Sequence, residues 1–215
     1  MTMRHKVFNL VILDESGSME IIKKATISGF NELIQSIRGV EREFPEQEHL
    51  VSFITFNGNG IKTLHWNEPV ARMRRINGFR YNPDSSTPLY DAIGFGVTRL
   101  KHDLQRLADY NVLVTVLTDG EENSSREYSG QAIRKLIDEL TLGNWTFTYM
   151  GANHDVDQLA MKISITNTIQ FQSNDADVKR LFDQEKEARM QYSRKIRNKE
   201  EFRRDYFKFD KDKQE

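Results

Sequence analysis

Three short stretches of this 215-residue sequence place oxygen-bearing side chains where they could do chemistry. Asp14-Glu15-Ser16-Gly17-Ser18 presents a carboxylate and two hydroxyls at alternate positions on one tight loop, and Gly17 lets that loop curl without a side chain in the way. Thr87-Pro88 supplies a third hydroxyl, and Thr118-Asp119-Gly120 a second carboxylate. Asp14, Ser16, Ser18, Thr87 and Asp119 are all hard oxygen donors. Mg²⁺, Mn²⁺ and Ca²⁺ prefer such donors, and Mg²⁺ keeps several waters and takes few protein carboxylates. One divalent cation, Mg²⁺ with Mn²⁺ or Ca²⁺ as alternatives, is therefore the expected cofactor. Each stretch alone has an ordinary use: Asp14, Ser16 and Ser18 as caps of a helix starting near Met19, Thr87-Pro88 as a helix start with Thr87 as N-cap, Asp119-Gly120 as a turn. The joint pattern is what points to a metal, because each piece falls at a strand end or a helix start.

The elements that must position these residues follow from hydrophobic periodicity. Val7 to Leu13 and Val112 to Thr118 are nearly continuous apolar runs of strand length, as expected of central strands buried on both faces. Met19 to Glu43 carries apolar residues at helical spacing. Leu50 to Phe56, the Asn57-Gly58-Asn59-Gly60 turn and Ile61 to Trp66 predict a hairpin whose short outer strand is an edge. A helix after Thr87-Pro88, a helix over Ser129 to Leu140, a strand over Trp145 to Met150, a short helix over Val156 to Ile163 and a strand over Thr168 to Phe171 complete the alternation. The prediction is a three-layer α/β fold of Rossmann-like type: a mostly parallel central sheet with one antiparallel edge strand and helices on both faces. In such sheets ligands sit beyond the carboxyl ends of the strands, where the three oxygen-bearing stretches would meet.

At these residues the sequence resembles the von Willebrand factor A family, whose metal-ion-dependent adhesion site pairs a D-x-S-x-S loop with a distant Thr and a distant Asp. The likeness extends over residues 7 to 172 and includes Ser86-Thr87-Pro88-Leu89-Tyr90-Asp91-Ala92, Leu117-Thr118-Asp119-Gly120-Glu121-Glu122-Asn123 and Gly151-Ala152-Asn153. It is similar to the stand-alone bacterial and phage branch. The resemblance implies that Ser16, Ser18 and Thr87 can bind the metal directly, with Asp14 and Asp119 acting directly or through water. It implies a binding module rather than an enzyme, one that takes an Asp or Glu from a partner protein.

Two other functional classes compete. A metal-dependent phosphatase or nuclease would also use acidic residues at strand ends, but Ser16 stands where Asp-x-Asp phosphatases carry their second Asp, and no phosphate loop, Gly-x-Ser-x-Gly elbow or HExxH helix is present. A scaffold with a purely structural metal is the other. Thirty-one basic residues against 32 acidic ones give a net charge of -1, so no global field favours nucleic acid or membrane, and neither is expected as a partner. No cysteine is present, which removes thiolate chemistry, and with no signal-peptide pattern at the N-terminus the expected location is the cytoplasm.

Residues 1–175 are assigned to the sheet domain and 176–215 to a charged C-terminal helix and tail. There Val178, Leu181, Phe182, Arg189, Tyr192 and Ile196 form a helical stripe, and Phe202, Tyr206, Phe207 and Phe209 are scattered among charges. His154-Asp155 is a loop pair that is not counted as a ligand. Arg72-Met73-Arg74-Arg75, with Arg80 and Tyr81, and the Arg189 to Arg204 segment read as solvated basic faces with an option on phosphate or acidic protein.

Overall fold

The structure, a computed structural model, describes residues 4–152 and 155–208. Two long apolar runs become β1 (His5–Asp14) and β4 (Tyr110–Thr118), which pair in parallel at the centre of a six-stranded sheet. Around them lie β2 (Gln47–Asn57), β3 (Gly60–Pro69), β5 (Trp145–Ala152) and β6 (Asn167–Phe171), in the order β3-β2-β1-β4-β5-β6. Among the described strands only β3 runs antiparallel. As an edge strand it is longer than the turn chemistry suggested, reaching Pro69, and its register against β2 shifts twice near Phe53.

Alternation along each strand divides the core in two. Phe8, Leu10 and Ile12 face one side with α2 (Leu89–Asp103), α3 (Gly130–Thr141) and α4 (Val156–Lys162). Val11 and Leu13 face the other with α1 (Lys23–Glu43) and α5 (Asp175–Asn198). The helix expected from Met19 begins as a 3-10 turn over Gly17–Ile22 and becomes α-helical only at Lys23. α1 and α5 cross so closely that a methyl group on Gly29 would lie 1.9 Å from the Phe182 ring, so only glycine fits there.

Among the described residues one face of the charged C-terminal segment is packed and takes Arg189 into the core, while Arg194, Arg197 and Arg204 stay exposed as expected of a solvated basic face. Val178, Leu181, Phe182, Ala188 and Tyr192 of α5 are buried, and the chain beyond it returns to bury Tyr206 beside Tyr192. Phe209 lies outside the described residues.

Beneath α5, His49 of β2 is wholly buried, with its Nδ1 3.4 Å from Asn9 Nδ2. Burial, reinforced by the charges of Arg189, Arg4 and His5, pushes its pKa down to about 3. The unfolded chain protonates this residue below about pH 6.5 while the folded one does not, so its contribution is complete above that pH and is lost as pH falls. Between pH 7 and pH 5 that loss is about 2 kcal/mol. Urea midpoints of wild type and His49→Gln at both pH values should show a smaller acid loss in the variant by that amount. Parallel pH profiles would assign the acid sensitivity to other groups.

Candidate metal centre

β1 and β4 end side by side where the sheet's crossovers diverge, and their carboxyl ends deliver Asp14 and Asp119 to one edge. The loop after β1 is held from several sides. Glu15 N–H donates to Phe56 O at 2.8 Å, Gly17 N–H to Ser85 O at 3.0 Å, and Asp84 N–H to Glu15 O at 2.9 Å. The Glu15 carboxylate turns inward, fully buried, and accepts from Thr55 Oγ1 at 2.6 Å, Asn82 N–H at 2.6 Å and Lys62 Nζ at 3.0 Å. Tyr81, also buried, donates its hydroxyl to Asp14 O at 2.8 Å from below.

On this support the side chains converge. Asp14 Oδ1 accepts from Ser16 N–H at 2.7 Å and its Oδ2 from Thr118 Oγ1 at 2.5 Å. Ser16 Oγ and Ser18 Oγ lie 3.2 Å apart, and Ser18 Oγ donates to Asp119 Oδ1 at 2.5 Å. Thr87 joins them from the segment before α2. A methyl group built on Gly120 would lie 3.1 Å from Thr87 Oγ1, 3.6 Å from Ser18 Oγ and 3.8 Å from Asp14 Oδ2, so these three oxygens cradle one small space that any side chain at position 120 would fill. Asp14, Ser16, Thr87 and Asp119 are buried, and Ser18 opens to solvent. All five residues predicted from the sequence therefore share one edge.

Two buried carboxylates here are costly without a counter-charge. Burial pushes Asp14 up to about 6 against the hydrogen bonds from Thr118 and Ser16, and the Asp119 charge adds to the rise. Among the described residues no three or more His, Cys, Asp or Glu are grouped so that they could hold a metal ion, so a cation at this edge would depend on hydroxyls. Three hydroxyls and two carboxylates around a small space fit a hard divalent ion.

Thr87 does not have the capping role the sequence suggested. α2 begins at Leu89 with Pro88 as its N-cap, and no side-chain cap bond is made there. The first helical amides go elsewhere: Tyr90 N–H donates to Glu122 Oε2 at 2.9 Å, and Asp91 N–H to Ser125 Oγ at 3.1 Å. A carboxylate already sits on the positive end of α2, so that helix end does not aim bare amides at the cradle. Thr87 is instead fixed through its backbone, donating N–H to Asn123 Oδ1 at 2.9 Å and accepting at O from Asn123 N–H at 3.2 Å. Ser16 likewise makes no side-chain cap bond, which removes the capping alternative for that residue.

Sequence reasoning missed Glu15, Tyr81, Thr118, Glu122 and Asn123 as supports. Thr118 read only as the end of a strand, Tyr81 as part of a solvated basic face and the other three as loop residues, and nothing in their spacing shows which of them is buried. Asn153 and His154 lie outside the described residues; Asp155 caps α4 by accepting from Gln158 N–H at 3.0 Å.

No family profile and no curated protein match the sequence. Solved structures do resemble it. The SpRpn10 VWA domain superposes with a TM-score of 0.58 at 11% identity, covering 82% of this chain and 94% of that one. The PilB minor pilin from Streptococcus sanguinis gives 0.58 at 12% identity over 89% of this chain and 63% of the pilin, so the chain spans less than two thirds of that protein. Manganese-loaded TRAP protein from Plasmodium vivax gives 0.51 at 16% identity, covering 83% and 73%. At such identities the likeness is one of fold, and the chain has a von Willebrand factor A-like fold.

Proposed function

We propose that the chain is a protein-binding module that holds one divalent cation, Mg²⁺ or Mn²⁺, at the edge formed by Asp14, Ser16, Ser18, Thr87 and Asp119, and uses it to capture an Asp or Glu carboxylate of a partner protein. The observation that carries this reading is the cradle at Gly120, where hydroxyls from two loops and a buried carboxylate face one small space. When bound, the cation would supply an electrophilic position for an incoming carboxylate. Ser16, Ser18 and Thr87 would hold it with neutral oxygens, leaving much of its charge for the partner. Asp14, oriented by Thr118 and by Ser16 N–H, and Asp119, bonded to Ser18, would balance the remainder. A manganese-loaded structure and a pilus adhesin among the structural neighbours support the reading. We place this activity in a reducing compartment, which a cysteine-free sequence suits.

The test uses a fluorescein-labelled peptide of glutamates with two leucines, followed by anisotropy in Mg²⁺ and in EDTA. Wild type should bind at least tenfold more tightly in Mg²⁺. Thr87→Ala, whose backbone bonds to Asn123 survive the change, should lose that difference while keeping its circular dichroism spectrum. Equal binding by wild type in Mg²⁺ and EDTA would remove the metal-capture reading.

A further inference from the structure

Between β3 and α2 the chain runs alongside α1 without regular structure apart from one short 3-10 turn, Val70–Arg72. It is nonetheless pinned along its length. Arg38 of α1 donates from Nε to Val70 O at 3.1 Å and from Nη2 to Met73 O at 2.6 Å. Asn31 exchanges two hydrogen bonds with the backbone of Ile76, at 3.0 and 3.1 Å. Lys23 Nζ reaches Asn82 Oδ1 at 3.0 Å, and Asn82 N–H is bound to Glu15 in the hydroxyl loop. From Arg38 to Lys23 the helix rises about 22 Å, so the segment is a strap of that length ending at the candidate metal edge.

Fixing the strap decides what it shows to solvent. Met73 and Ile76 are its anchors, 4% and 2% exposed, which leaves Arg72, Arg74, Arg75 and Arg80 facing out. Among the described residues none of these four arginines is ion-paired. Phe79 is 98% exposed, held outward on a turn in which Asn77 Oδ1 accepts from Phe79 N–H at 3.2 Å. Burying such a ring is favourable, so leaving it in water is a cost that a partner could recover. Ile21, 77% exposed, stands in the 3-10 turn that follows the hydroxyl loop, two residues before the Lys23 that reaches the strap at Asn82.

We infer that this strap is an interaction surface for an acidic protein segment bearing an apolar residue. The arginines would meet its carboxylates, and Phe79 with Ile21 its apolar side chain, next to the edge where one further carboxylate would reach the cation. Unpaired guanidinium groups on a rigid backbone match carboxylates in planar, two-point fashion, and aromatic and arginine residues dominate binding energy at protein interfaces. The aliphatic Ile21 favours a protein over a single-stranded nucleic acid, whose bases would ask for more stacking rings. This deepens the metal-capture reading by naming the partner chemistry, yet the strap's contribution does not pass through the metal.

The experiment uses the full chain, the glutamate-leucine peptide above, its glutamine-leucine counterpart and an oligo-dT of similar length. Reversing the strap with Arg72→Glu, Arg74→Glu, Arg75→Glu and Arg80→Glu should weaken the acidic peptide at least tenfold in Mg²⁺ and by a similar factor in EDTA. Phe79→Ser should weaken it about threefold to tenfold. The glutamine peptide should bind weakly to wild type and variant alike. All five positions are exposed, so unchanged circular dichroism is expected. If Mg²⁺ makes no difference but the reversal still weakens binding, the strap stands and the metal reading fails. If the reversal leaves the peptide's affinity unchanged in both buffers, the strap proposal is overturned whatever Mg²⁺ does. Tighter binding of oligo-dT than of the acidic peptide also overturns it, in favour of nucleic acid.

Discussion

Arg189→Met should destabilise the protein by about 3–5 kcal/mol, whereas the double replacement Glu185→Leu with Arg189→Met should recover a large part of that loss. Both groups lie under α5 with almost no exposure, Glu185 at 0% and Arg189 at 1%. Arg189 binds Glu185 through two nitrogens and reaches across the sheet to Asn9 Oδ1 and to Thr115 Oγ1. Burial raises the Glu185 carboxyl, and the Arg189 charge with its hydrogen bonds pulls it back. Removing only the arginine strands a carboxylate in the core, while removing both charges leaves an apolar interface of similar volume. The recovery is incomplete because Tyr206, whose hydroxyl donates to Glu185 at 3.1 Å, and Asn9 each lose a partner. Urea unfolding of the three proteins at pH 7 decides it. Equal loss in single and double variants would mean that packing, not charge, holds α5 down.

This buried pair also marks where sequence reasoning stops. Leu10, Ile12, Val114 and Val116 announce β1 and β4 because a strand covered on both faces must be apolar throughout, and that signal is local. The D-x-S-x-S loop is equally local, and the topology that brings Thr87 and Asp119 to it follows from strand and helix alternation. Partners distant in the chain are another matter. A Glu and an Arg one helical turn apart on a charged segment look like a solvated surface pair, and only the fold shows that Asn9 and Thr115 meet them. Thr87 shows the same limit in reverse. Thr-Pro before a helix reads as a cap, but Pro88 takes the cap position, and the amides after it are claimed by Glu122 and Ser125, more than thirty residues away. The Arg-rich strap is visible as composition, while its attachment to α1 and the lack of ion pairs at its arginines show only in the fold.

The second large effect concerns the two carboxylates of the candidate metal edge, and its sign should depend on the metal. Without a cation Asp14 and Asp119 repel each other in a buried setting, which is part of what raises Asp14 to about 6. Asp119→Asn removes one charge yet keeps an oxygen to accept from Ser18 Oγ. In EDTA the variant should therefore melt no lower than wild type, and higher if the repulsion is not relaxed elsewhere. In Mg²⁺ the order should reverse. A ligand that binds only the native state stabilises by mass action, about 2.7 kcal/mol at a hundred times its dissociation constant, and the variant should forfeit most of that gain. A structural role for Asp119 alone gives a different pattern, with the variant less stable in both buffers by a similar amount. Thermal melts of wild type and Asp119→Asn in EDTA, Mg²⁺ and Mn²⁺ separate the two. Gly120→Ala offers an independent check, since its methyl group would occupy the cradle 3.1 Å from Thr87 Oγ1 and should cut the Mg²⁺ response while both carboxylates remain. Crossing of the wild-type and Asp119→Asn stabilities between EDTA and Mg²⁺ is the outcome that only a cation between the carboxylates produces.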